Sequence, residues 1–185
     1  FIRILSITLY KNLKPQKEFL IKIFINLGYI TDRSGKSKFK PPILLNDILD
    51  PSRIYDIGIS MGDGSLYNQK QHISDGSLLD LNLTKIHIEK LRELKKRIWG
   101  LSDHSLKIII GKKENINMYI LTVCNKFYVN YLNFVYDLPI GDKIKQGLKE
   151  PLLLNLSKNK NYIKSFLYRG LFDTDGSYSK KSSTI

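Results

Sequence analysis

Apolar residues recur along this chain at spacings of about 3.6 and 2 residues, and the changes between the two lay out its elements. Phe19, Leu20, Ile23, Phe24 and Leu27 fall on one side of a helix over residues 15–30 that ends near Gly28. The stretch from Arg33 to Lys38, closed by Pro41-Pro42, predicts a loop or linker. Asp50-Pro51 then supplies a capping side chain and a proline at the first helical position, and Ile54, Ile57, Gly58 and Met61 continue at i, i+3, i+4 and i+7. Residues 65–73 and 77–84 predict two strands joined at Asp75-Gly76, with Leu79, Leu81 and Leu83 alternating with Asp80, Asn82 and Thr84. From Lys85 to Trp99 the spacing is helical again: Ile88, Leu91, Leu94 and Ile98 share one side, and Lys90, Arg92, Lys96 and Arg97 form a charged side of the kind that is usually solvated. A second hairpin follows over residues 106–110 and 118–123, turning within 111–117, and then a helix from Asn125 to about Tyr136 that Leu138-Pro139-Ile140-Gly141 breaks. Ile163, Phe166, Leu167, Gly170 and Leu171 mark a last amphipathic helix. The predicted class is α+β.

Composition adds a charge to this picture. The 185 residues are 42% apolar, enough for one ordinary core, and 30 basic against 17 acidic residues leave a formal charge of +13, which favours a polyanionic partner such as nucleic acid. The absence of Ala and the abundance of Lys, Ile, Asn and Tyr would also follow from A/T-biased coding, so charge alone does not establish the partner. Cys124 is the single cysteine, which excludes an intrachain disulfide and a cysteine-based zinc site and points to a reducing compartment, the cytoplasm or an organelle interior. The apolar start is interrupted by Arg3 and is too short to span a bilayer, so no membrane partner is expected. His72, His87 and His104 are isolated, with neither a zinc-ligand cluster nor a Gly-rich phosphate loop beside them.

Two stretches of the chain repeat one another. Asp56-Ile57-Gly58-Ile59-Ser60-Met61-Gly62-Asp63-Gly64 and Tyr168-Arg169-Gly170-Leu171-Phe172-Asp173-Thr174-Asp175-Gly176 each carry glycine at the third position and end in Asp-Gly, and each lies at the end of a predicted amphipathic helix. Glycine at Gly58 and Gly170 would let two helix backbones approach closely, bringing together Asp63 and Asp175, which are 112 residues apart. A single Asp-Gly is ordinarily a cap or turn. Two of them closing matched helices are a candidate pair of hard oxygen ligands for Mg²⁺, the ion that activates water and stabilises the leaving oxygen in phosphodiester hydrolysis. Asp173 has Met61 as its counterpart in the first stretch and is expected to support the site without acting in the reaction.

These two stretches, with Leu138-Pro139-Ile140-Gly141-Asp142-Lys143 and Lys149-Glu150-Pro151 between them, resemble the LAGLIDADG homing endonucleases of the single-chain, two-motif type. The resemblance implies an αββαββα repeat with a curved antiparallel sheet lying on the major groove of double-stranded DNA, a pseudo-dimeric monomer when full length, and catalysis by Asp63 and Asp175. It also implies a basic residue at the edge of the active site, assigned to Lys149 with Lys145 and Lys143 as alternatives. Tyr67, Gln69, Gln71, Asp80, Asn82, Lys107, Lys112, Asn115 and Asn117 become the candidate DNA contacts, since Gln and Asn can pair with adenine edges and Lys with guanine or phosphate.

The expected organisation is an extension over 1–49, a first subdomain over 50–157 and the start of a second over 158–185. The chain lacks an initial Met and ends ten residues after Asp175, so it is expected to be truncated and unable to cut both strands alone. Two alternatives stand beside the endonuclease: an intron RNA maturase, which uses such a scaffold without needing its acids, and a non-catalytic DNA-binding remnant or regulator. Residence within an intein is a further option, although no starting Cys or Ser splice junction is seen.

Overall fold

A computed structural model describes residues 48–67, 69–75, 81–113 and 116–175, with main chain alone at 75, 81, 112, 113, 116, 117 and 175. Helix α1 (Pro51–Gly62) starts where Asp50 Oδ1 accepts from the Ser52 and Arg53 amides at 2.9 and 3.1 Å, and Pro51 loses no hydrogen bond in the first turn. A hairpin, β1 (Gly64–Tyr67) and β2 (Lys70–Asp75), leads to the long helix α2 (Leu81–Trp99). A 3-10 turn at Asp103–Ser105 opens a second hairpin, β3 (Leu106–Lys113) and β4 (Ile116–Cys124). Next comes α3 (Lys126–Tyr136), capped by the Asn125 side chain and closed by Asp137 in the left-handed conformation at φ 59°. The short helices α4 (Lys143–Gln146) and α5 (Leu152–Asn155) precede α6 (Lys160–Asp175). The chain is thus α+β, with one antiparallel sheet in the order β1-β2-β4-β3. Leu66, Ile73, Leu106, Leu121 and Val123 on one face of that sheet share a core with Ile54, Ile57, Ile88, Trp99, Tyr128 and Tyr131 of the helices. No helix among the described residues is long and apolar enough to cross a membrane.

Two expectations fail here. The first hairpin turns around Gln69, at φ 94°, and not at Asp75-Gly76, so residues 65–73 form two strands instead of one. The segment expected to be its second strand is helical from Leu81 onwards, and Leu83 is 64% exposed. The Leu alternation misled because it overlaps a helical stripe: Thr84, Ile88, Leu91, Lys95, Ile98 and Trp99 are buried, and a spacing of three or four residues wins once the segment is long enough to turn. The expected helix at 15–30 and the linker at 33–42 lie outside the described residues.

Lys95 sits in the middle of that stripe, and it does so because α1 delivers an acid to meet it. Its Nζ donates to Asp56 Oδ2 at 2.7 Å and to Tyr128 Oη at 3.0 Å. Tyr128 donates in turn to Gln71 Oε1 (3.1 Å), Gln71 Nε2 to Ser60 Oγ (2.8 Å), and Ser60 back to the Asp56 carbonyl (2.8 Å). The ring of bonds is closed and joins α1, α2, α3 and β2. Trp99 Nε1 donates to the same Asp56 oxygen at 2.8 Å, and Arg53 lies 4.6 Å above the Trp99 ring while donating to the Ile98 carbonyl at 2.8 Å. Burial pulls the pKa of Lys95 down while Asp56 opposes that shift, and burial is the main cause that pushes Tyr128 well up.

A buried pair of this kind costs most when halved. Asp56→Ala is expected to lower unfolding free energy by about 3–5 kcal/mol because it strands the Lys95 ammonium. The double variant with Lys95→Met is expected to recover part of that loss, and urea denaturation of the two proteins measures the difference.

Candidate active site at the paired helices

Helices α1 and α6 cross main chain to main chain. A Cβ placed on Gly58 would overlap the Leu167 carbonyl and stand 2.9 Å from the Leu171 nitrogen and 3.0 Å from the Gly170 Cα. One placed on Gly170 would overlap the Tyr55 carbonyl and stand 3.0 Å from the Ile59 nitrogen and 3.1 Å from the Gly58 Cα. The two sets of contacts exchange when 112 is added to the residue number: Tyr55 becomes Leu167, Gly58 becomes Gly170, and Ile59 becomes Leu171. The crossing therefore has a local two-fold relation. Helices that meet through side chains stay about 8–10 Å apart, and only residues without Cβ permit this approach.

Asp63 and Asp175 each lie five residues beyond the crossing glycine, about 7.5 Å along their helices at 1.5 Å per residue. Asp63 caps α1, its amide donating to the Ile59 carbonyl at 3.1 Å, and its side chain is half-buried. Asp175 is the last residue of α6. Among the described residues no group of three or more His, Cys, Asp or Glu side chains gathers to hold a metal. What these helix ends can offer a cation is carboxylate oxygen together with the negative pole of the helix.

Of the three basic candidates, Lys143 reaches the end of α1, where its Nζ donates to the Met61 carbonyl at 2.8 Å. The segment before it is pinned to the sheet edge by a bridge between Leu66 and Ile140 and by the Gly141 amide, which donates to the Leu66 carbonyl at 2.7 Å. Lys149, the preferred candidate from sequence, instead lines a cavity of about 370 Å³ with Asn133, Asp137, Gln146 and Glu150. Lys145 is exposed and lies 3.7 Å from Asp142.

The face of the sheet opposite the core carries rows of polar side chains set by the strand register. Ser65, His72, Thr122 and Lys107 form one row, and Tyr67, Lys70 and Cys124 the next. Tyr67 and Lys107 are exposed as expected, and Gln69 stands exposed at the turn. Lys112 and Asn117 are register partners near the far end of β3 and β4, while Asn115 and Asp80 lie outside the described residues. Gln71 is a correction: it is fully buried in the polar ring, facing the helices. Asn82 is a second, because it is on α2 and not on a strand.

Sequence alone missed Lys70 and His72. The alternation of Lys70, His72 and Ser74 with Gln71 and Ile73 holds the signal, but an unrecognised turn at Gln69 reverses the parity of every residue after it. Burial, followed by the nearby Lys70, holds the pKa of His72 below the usual imidazole value, and its ring lies 5.2 Å from that of Tyr67.

On α2, Arg92 and Lys96 both pair with Asp103, at 2.7 and 2.9 Å, and Lys85 lies 4.0 Å from Glu89. The hydrogen bond from Lys96 is the main cause that holds the pKa of Asp103 below the usual carboxylate value. On the open face of the sheet, Lys70 and Lys107 have no acidic partner among the described residues.

Gly58→Ala and Gly170→Ala are each expected to lower stability by about 1–3 kcal/mol, since neither backbone can yield to the new carbon. The thermal melts of the two variants, set beside a surface substitution such as Lys160→Ala, check this. No protein-family model matches the chain, and no curated protein matches it at a significant level.

Proposed function

We propose that this protein is a site-specific DNA endonuclease of the LAGLIDADG type, with its reacting centre at the ends of α1 and α6. The observation that carries the proposal is the crossing at Gly58 and Gly170, whose contacts repeat after the same 112 residues that separate Asp63 from Asp175. Duplicated acids at duplicated helix ends answer the chemistry of duplex DNA, whose two strands offer two equivalent phosphodiesters. The exposed Lys70 and Lys107, without an acidic partner among the described residues, support a polyanion on the open face of the sheet. A two-stranded ribbon fits the major groove, and β3 and β4, of eight and nine residues, are long enough to follow about eight base pairs at 3.4 Å per step.

In this reading Asp63 and Asp175 are the residues that would hold a divalent cation, and carboxylate oxygens at a helix C-terminus suit Mg²⁺ in kind. When bound, the cation supplies an activated water and relief of charge on the leaving oxygen. Lys143, fixed by the Met61 carbonyl, places a positive charge beside the first motif end, where it would attract the scissile phosphate and offset charge as it builds. Tyr67 and the Lys70 and Lys107 ammonium groups would hold the duplex.

Selection of cleaved sites from a randomised DNA library by the full-length protein, with Mg²⁺ and with EDTA, tests the reading. One long site enriched only with metal is expected, and Asp63→Asn or Asp175→Asn should slow cutting about a hundredfold or more. Unchanged cutting by either variant removes the assigned centre, and binding without cutting in both conditions leaves a DNA-binding protein. Binding carries a second expectation: Lys70→Gln and Lys107→Gln should each reduce the salt slope of affinity by about one, whereas Lys96→Gln, already paired with Asp103, should leave it unchanged.

A further inference from the structure

The two-fold relation of the crossing does not extend to the hydrogen bond beside it. Tyr55 Oη donates to Asp173 Oδ2 at 2.8 Å across the helix pair. Adding or subtracting 112 turns Tyr55 into Leu167 and Asp173 into Met61, so the equivalent pair is apolar and cannot make the bond. Met61 is held at its end by other means, its carbonyl accepting from Lys143 at 2.8 Å. The same position of the two motifs is therefore tethered twice by unlike chemistry, an ammonium on a main-chain oxygen in α1 and a phenol on a side-chain carboxylate in α6.

We propose that Tyr55 is a positioning residue for the second motif: its bond to Asp173 fixes the last turn of α6, and with it the main chain at Asp175, independently of the end of α1. Asp173 is two residues from Asp175 in a single helical turn, so restraining one restrains the other. Arg169 completes the group, with its Nε 3.9 Å from Asp173 Oδ2 and its guanidinium 6.0 Å from the Tyr55 ring centre. Burial first, then the hydrogen bond to Asp173 and its charge, push the pKa of Tyr55 up to about 12, with Arg169 opposing and Asp56 adding to the rise. The phenol is thus kept protonated, as a donor must be. The proposal goes beyond the endonuclease reading and does not require the chain to cut DNA.

Amide hydrogen exchange of the whole protein resolves the two helix ends separately. Tyr55→Phe, which removes only the hydroxyl, is expected to speed exchange of the amides of Asp173, Thr174 and Asp175 about two- to tenfold, the worth of one net hydrogen bond, and to leave Met61 to Asp63 unchanged. Lys143→Met is expected to do the reverse. Asp173→Asn, which keeps an acceptor oxygen, should retain most of the protection that Asp173→Leu loses.

A pH profile gives a second readout. A phenol whose pKa is raised on folding adds stability that is complete below about pH 10 and is lost as pH climbs towards 12, so the stability difference between wild type and Tyr55→Phe should shrink over that range. Equal exchange at the end of α6 in wild type and Tyr55→Phe overturns the proposal, as does equal loosening of both helix ends. A protein that shows the expected exchange pattern yet never cleaves DNA loses the endonuclease reading and keeps the tether.

Discussion

The ion pair between Asp56 and Lys95 is the constraint that the rest of the domain depends on. Both groups are wholly buried, and neither tolerates the interior without the other. Satisfying them recruits Tyr128, Gln71 and Ser60 into a closed ring, and each member belongs to an element whose position the others then fix. The ring also has a direction. Lysine can only donate and an ionised carboxylate can only accept, so the orientation of the Gln71 amide follows, and because Gln71 faces the helices to join the ring, strand alternation turns Lys70 and His72 to the opposite face. A slip of one residue in β2 would break the ring and exchange those faces together.

This ring was also the least legible part of the chain. Helix periodicity located α1, α2 and α6, whose aliphatic residues recur every three or four positions, and Asp50-Pro51 marked the start of α1 through local chemistry alone. Lys95 sits at a stripe position of α2, but nothing local says that a charge there will be matched by Asp56 from 39 residues away. Pairing of that kind is a property of the folded chain. The first hairpin was misplaced for a related reason: Asp75-Gly76 has the stronger turn composition, whereas the position of the actual turn follows from pairing between β2 and β4, which is not local either.

The candidate site divides along the same line. The crossing could be foreseen from Gly58 and Gly170, since a missing side chain announces close approach wherever a partner is found. The neighbours of the crossing could not. Lys143 precedes Lys149 by six residues, and only the bridge from Leu66 to Ile140 decides which of the two reaches α1. Nothing in the sequence around Tyr55 announces its bond to Asp173, which has no equivalent at the end of α1.

The main-chain contact at Gly58 and Gly170 also bears on how such a protein could change over generations. A joint made of backbone atoms offers no side chain to adjust, so substitution there can only damage it, whereas Ser65, Tyr67, Lys70, His72 and Lys107 stand on strands whose register is fixed from the opposite face. Lineages of this chain could therefore exchange those open-face residues freely while the joint between the helices stayed constant, and the outer surface could be rewritten without loosening the helix pair.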